Sequence, residues 1–127
     1  MKKDKNKTKT KERAGQTIDA SGETLGRVAS RAAMHLMGKT AATFERHRYS
    51  GFPVKIVNAA KIRITQKKLE NIFHKRYSGI PGGLRVTPAA KTKTTKGMRE
   101  VVRLVIYQML PGNKLRREMM KNLVIED

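Results

Sequence analysis

The chain has 127 residues, with 29 Lys plus Arg against 10 Asp plus Glu, a formal net charge of +19. That imbalance calls for a polyanionic partner, and phosphate is the polyanion that basic surfaces capture by releasing condensed counterions. There is no cysteine, which excludes disulfides, thiolate metal sites and thiol nucleophiles.

Residues 1–15 form a basic tail, with Lys2, Lys3, Lys5, Lys7, Lys9, Lys11 and Arg13 in a low-complexity run that has almost nothing to bury. It is expected to be disordered when free and to lie along RNA when bound. From residue 16 to residue 127 the pattern is that of a single domain. Thr17 to Asp19 reads as a short strand, followed by a turn at Ala20-Ser21-Gly22-Glu23. A helix is predicted from Thr24 to Met37, because Leu25, Val28, Ala29, Ala32, Ala33 and Leu36 recur at helical spacing. Thr24 is its expected N-cap and Gly38 its stop. Arg27, Arg31 and His35 form a basic stripe on the opposite side.

Residues 39–53 read as an irregular connection containing Lys39, Arg46, His47 and Arg48. Val54 to Asn58 and Ile62 to Ile64 are predicted strands, separated by Ala59, Ala60 and Lys61, and Gln66 to Asn71 a polar turn. A short strand is expected around His74, Lys75, Arg76 and Tyr77, then a Gly- and Pro-rich loop from Ser78 through Gly82 and Gly83 to Arg85. Pro88 to Gly97 reads as a polar linker with Lys91, Lys93 and Lys96. Met98 to Met109 has the strongest helical pattern and is stopped by Pro111-Gly112. A last helix, about Lys114 to Asn122, buries Leu115 and Met119 and exposes Arg116, Arg117 and Lys121. Strands interleaved with helices indicate an α/β fold.

The sequence gives no sign of a membrane partner. No apolar run approaches the ~20 residues of a bilayer span, the N-terminus lacks a secretory apolar core, and no lipid-anchor motif is present. With no Trp, three Tyr and three Phe, the chain cannot build the aromatic platform that readers of unpaired bases use. Folded RNA or duplex is the better match. Neither glycine-rich stretch is a nucleotide site. Gly22 to Arg27 has one residue too few between its glycines and lacks Lys-Ser/Thr, and Gly38-Lys39-Thr40 lies at the C-terminal, anion-repelling end of its helix. The three histidines are scattered, and Asp19 reads as an Asx turn or a partner for a nearby Arg. Glu100 is expected to pair with Arg103 along its own helix. Nothing assembles nucleophile, base and orienter, so the chain does not read as an enzyme.

Asp19-Ala20-Ser21-Gly22-Glu23-Thr24-Leu25-Gly26-Arg27, then Val57-Asn58-Ala59-Ala60-Lys61, then Tyr77 to Arg85 with its Pro-Gly-Gly-Leu, then Met109-Leu110-Pro111 and the basic helix after it occur in a fixed order. In that order they resemble the motifs of ribosomal protein thirteen of the large subunit, bacterial type. The resemblance implies a three-layer α/β/α fold around a mainly parallel four-stranded sheet. It also implies a structural constituent that binds and cross-links large-subunit rRNA during assembly beside neighbouring large-subunit proteins. It brings no catalysis, no cofactor, no metal, no membrane and no small-molecule substrate. Its setting is the large subunit in the cytoplasm, or in an organelle. Carried onto matching positions, Arg27, Lys39, His74, Lys75, Arg76, Tyr77 and the loop Gly79 to Arg85 become rRNA contacts, continued by Arg116, Arg117 and Lys121. The surrounding charge adds Arg31, Arg46, Arg48, Lys61 and Lys114. The chain departs from the family pattern in Gly15-Gln16, where Trp-Tyr is usual. It departs again in Tyr107-Gln108, in Gly112 to Arg116, and in residues 86–97, which lack the usual amphipathic helix before the long one. A free nucleic-acid-binding regulator or nucleoid-like protein is the alternative that charge alone leaves open.

Overall fold

Alternation in the strands decides how the sheet is covered. The computed structural model describes residues 15–127, and the tail cations Lys2 to Arg13 lie outside the described residues. Strands β1 (Gln16–Asp19), β2 (Val54–Val57) and β5 (Leu123–Ile125) form a parallel sheet in the order β1-β2-β5. Ile18 lies beside Ile56 and Ile56 beside Ile125, so these buried side chains share one face. Thr17, Lys55 and Val124 share the other face and are exposed.

The expected three-layer sandwich and four-stranded sheet are therefore corrected. The parallel sheet has three strands, and among the described residues one of its faces is open. Strands covered on both faces read as continuous apolar runs, whereas Gln16-Thr17-Ile18-Asp19 and Val54-Lys55-Ile56 alternate. Ile62-Arg63-Ile64 makes a single parallel bridge, Thr24 to Arg63, and no strand. A short 3-10 turn at Ala59–Lys61 turns the chain between β2 and that bridge.

Helix α1 (Leu25–Met37) buries the six side chains that the periodicity assigns to its core face. Thr24 occupies the N-cap in extended geometry, though its side chain makes no capping bond. Gly38 ends the helix at φ +78°, where its N–H meets the His35 carbonyl at 3.0 Å and the Lys39 N–H meets that of Met34 at 3.1 Å. This six-to-one closure needs a left-handed residue, and glycine adopts that conformation without a Cβ penalty. The steps from β1 to β2 and from β2 to β5 run in one direction across the sheet. Right-handed crossovers then set the connecting helices on one face, and α1 packs against both α4 (Met98–Met109) and α5 (Arg116–Lys121). Val101, Val102 and Ile106 of α4 join Leu25, Val28 and Leu36 in one core that reaches from Ile18 to Ile125.

Other elements also depart from the sequence expectation. Gln66–Asn71 is a short helix, α2, held by buried Leu69. Ala89–Lys96, expected as a linker, is helix α3. Its threonines donate back along the helix, Thr94 to the Ala90 carbonyl at 3.0 Å and Thr95 to that of Lys91 at 2.9 Å. Buried Ala89 and Thr92 dock it against α2, strand β4 (Leu84–Pro88) and α4. Tertiary packing thus overrides a poor local helix propensity. Leu123, just past the expected last helix, opens an unanticipated strand, β5, and pairs with Val54.

Outside the parallel sheet, β3 (Phe73–Tyr77) and β4 (Leu84–Pro88) form an antiparallel hairpin. Leu84 and Arg85, expected in the loop, are part of its returning strand.

Candidate nucleic-acid interface

The cations fall into four groups, and the fold treats them differently. On α1, Arg27 has no ion pair or hydrogen bond among the described residues. Arg31, one turn on, is ion-paired to Glu23 of the preceding turn. That hydrogen bond raises its guanidinium pKa still further. His35 is half-buried, so the predicted stripe is in effect a single unpaired arginine.

The second group lies where the segment after α1 meets the chain between α4 and α5. Lys39, Arg46 and Arg48 line a cavity of about 290 Å³ whose other walls include Phe44, Leu115 and Met119. Glu45 also lines it, its carboxylate 3.5 Å from His47. Residues far apart in sequence thus build one basic-rimmed, apolar-floored concavity. Beyond it Lys114, Arg117 and Lys121 are exposed, but Arg116 is not available. Its guanidinium donates to the Leu110 carbonyl at 3.1 Å and the Pro111 carbonyl at 3.0 Å, and its carbon stands 4.5 Å from the Tyr107 ring centroid. Arg116 closes the C-terminal end of α4, where carbonyls lack helical partners.

The third group surrounds the end of β1. Asp19 Oδ1 accepts the Ser21 N–H at 2.9 Å and the Asn58 amide at 3.0 Å. Those two bonds hold its carboxyl below the usual range, helped by nearby Lys61. The Asx turn is as expected, but the partner is Asn58 and no Arg. Lys61 is exposed beside it.

The hairpin forms the fourth group. Alternation along β3 puts Lys75 and Tyr77 on one face and His74 and Arg76 on the other, with Arg76 directly opposite Arg85. Arg76, Arg85, Lys75 and Tyr77 are exposed, whereas His74 is buried. Its burial lowers the imidazole pKa, opposed by the charge of Glu100. The structure therefore places His74 under the surface and not on it. At the tip, a Cβ on Gly82 (φ +79°) would meet nothing within 4 Å, so backbone is open to a ligand there. Gly83 differs: a Cβ would stand 1.8 Å from Ser78 Oγ, so its smallness serves the loop itself. Helix α3 adds Lys91 and Lys96 to the His74 and Arg76 face. Those two lysines are absent from the sequence-derived interface because the helix that presents them has the composition of a linker.

Among the described residues no group of three or more His, Asp or Glu could hold a metal ion, and no helix is long and apolar enough to cross a membrane. Asp19 and His74 are the acid and the imidazole with displaced pKa values. Both shifts have local structural causes, a turn and a buried ring.

Residues 13–125 match the family model described as Ribosomal protein L13. The chain belongs to that family. It is a family of ribosomal proteins and not of enzymes. Among the relatives is the large ribosomal subunit protein uL13 of Moorella thermoacetica, 45% identical over 114 residues that cover 90% of this chain and 78% of the relative. That of Caldanaerobacter subterraneus subsp. tengcongensis is 42% identical over 90% of this chain and 79% of its own length. That of Orientia tsutsugamushi is 37% identical over 85% and 69%. In this member of the ribosomal protein L13 family, Asp19 and Asn58 sit in two separate sequence motifs and meet in the fold, because the motifs lie at the ends of adjacent strands.

Proposed function

We propose that this chain is a structural component of the large ribosomal subunit, placed with it in the cytoplasm, which binds rRNA and cross-links its segments during assembly. The observation that supports this most is the distribution of unpaired cations. Arg27, the Lys39, Arg46 and Arg48 rim, the hairpin arginines and the Lys114, Arg117 and Lys121 surface belong to separate elements, and the described carboxylates neutralise few of them. Cations spread over several surfaces can contact several RNA segments at once and screen the repulsion between them. The open tip at Gly82 adds backbone donors where a side chain would stand in the way.

The test is to follow the chain through a sucrose gradient of native lysate at low and then high salt. Co-migration with large subunits that survives the salt wash supports the proposal. Release to light fractions, or migration with DNA, favours a free nucleic-acid-binding protein.

A further inference from the structure

Two arginines directly opposite each other across an antiparallel pair repel, and such a pair weakens its own hairpin unless an anion lies between them. Arg76 and Arg85 are such a pair, both exposed, and neither has an ion pair or hydrogen bond among the described residues. The same face of the hairpin is one wall of a cavity of about 350 Å³, whose other wall is α3. Arg76, Lys91, Lys96 and Thr95 line it, and His74 lies in it, buried, with both ring nitrogens lacking a partner. The acid at this cavity, Glu100, is bonded to Arg103 at 3.3 Å, which reduces its opposition to an incoming anion.

Resting on the rRNA-binding reading, we infer that the cleft between the β3–β4 hairpin and α3 seats backbone phosphate of folded RNA, held by Arg76, Lys91 and Lys96 of its lining, with Arg85 opposite Arg76 at its edge as the second cation that the phosphate screens. Guanidinium forks match phosphate oxygens in pairs, and a polyanion arriving here removes the cross-strand repulsion that the free protein carries. Binding and hairpin stability are thereby coupled: the pair that weakens the free fold strengthens the complex.

The experiment measures binding of the full chain to large-subunit rRNA extracted from salt-stripped bacterial subunits, across a series of salt concentrations, alongside thermal melting of the free protein. Variants are Arg76→Glu, Arg76→Gln, Lys91→Gln with Lys96→Gln, and Arg27→Glu as a control outside the cleft. In Arg76→Glu the new Glu faces Arg85, so the free protein melts at the same or a higher temperature. Its RNA affinity falls about tenfold or more, and the log–log salt slope becomes shallower by about one for each phosphate no longer neutralised. Arg76→Gln and the double lysine variant lose affinity in the same direction without unfolding. Wild-type affinity and slope in all three cleft variants, with loss in Arg27→Glu, would overturn the cleft and leave the RNA reading standing. Stabilisation by inorganic phosphate without any change of RNA slope would also overturn it. No RNA binding by the wild-type chain would bring down both.

Discussion

Asn58 stands at the end of β2 in a left-handed backbone conformation, φ +58°, and its side-chain amide donates to Asp19 at the end of β1, 3.0 Å away. Asparagine is among the few non-glycine residues that adopt this conformation readily, so one side chain turns the chain and joins two strands.

Asn58→Ala therefore loses the bond and forces alanine into the left-handed region, at a cost of about 1 kcal/mol for the backbone alone. Asn58→Gly restores the backbone and still lacks the bond. The Asp19 carboxyl, held low by Ser21 and Asn58, then titrates closer to the ordinary value of about 3.9. Because the folded pKa is depressed, Asp19 contributes stability that is present above its unfolded pKa and is lost as pH falls through the folded one. Carboxyl NMR titration of wild type and Asn58→Gly checks this; an unmoved Asp19 pKa would refute the coupling.

Arg116 and Arg117 are neighbours with opposite duties. Arg116→Ala should lower stability by about 1–2 kcal/mol, through the lost carbonyl bonds and the stacked Tyr107, and leave the salt slope of RNA binding nearly unchanged. Arg117→Ala should do the reverse, since its side chain is exposed and unpaired among the described residues. Thermal melts and filter binding on the two variants separate the roles.

Glu23 is expected to mask Arg31. The pair is well exposed, so Glu23→Gln should change stability by less than about 1 kcal/mol. Freed of its carboxylate, Arg31 then joins Arg27 on one helix face, and RNA affinity rises severalfold at low salt. Unchanged affinity would mean that this face of α1 does not meet RNA.

His74 gives a pH dependence of its own. Burial depresses its folded pKa, so the unfolded chain takes up protons first as the solution is acidified. Stability due to this residue is then present above the unfolded pKa of about 6.5 and declines as pH falls below it towards the folded value. In His74→Asn the difference in melting temperature from wild type should shrink as pH is lowered from about 7 to about 5. A difference that stays constant with pH would show that the ring is protonated equally in both states.

The elements legible in the sequence are those whose information is local. Helix α1 can be read because six apolar positions keep one period and Gly38 closes the last turn. Helix α4 is legible for the same reason, and Asp19 shows its turn through its spacing to the amide it accepts. Helix α3 is not legible. Its Thr- and Lys-rich run has little helical preference, and burial of Ala89 and Thr92 against other elements is what holds it. Nor is β5, since three residues next to a helix acquire strand character only through β2.

The chain's composition alone determined that its partner is anionic, because 29 cations against 10 acids cannot be neutralised within the molecule whatever the fold. The order of the residues also marked the two motifs around Asp19 and Asn58 that end adjacent strands. Only the tertiary structure decided which cations remain available. Arg31 sits beside Glu23, Arg116 over Tyr107 and His74 under the hairpin, while Arg76 and Arg85 face each other with no carboxylate partner among the described residues. Charge is a property of each residue, but its pairing depends on distances of a few ångström, and the packing of distant segments sets those distances.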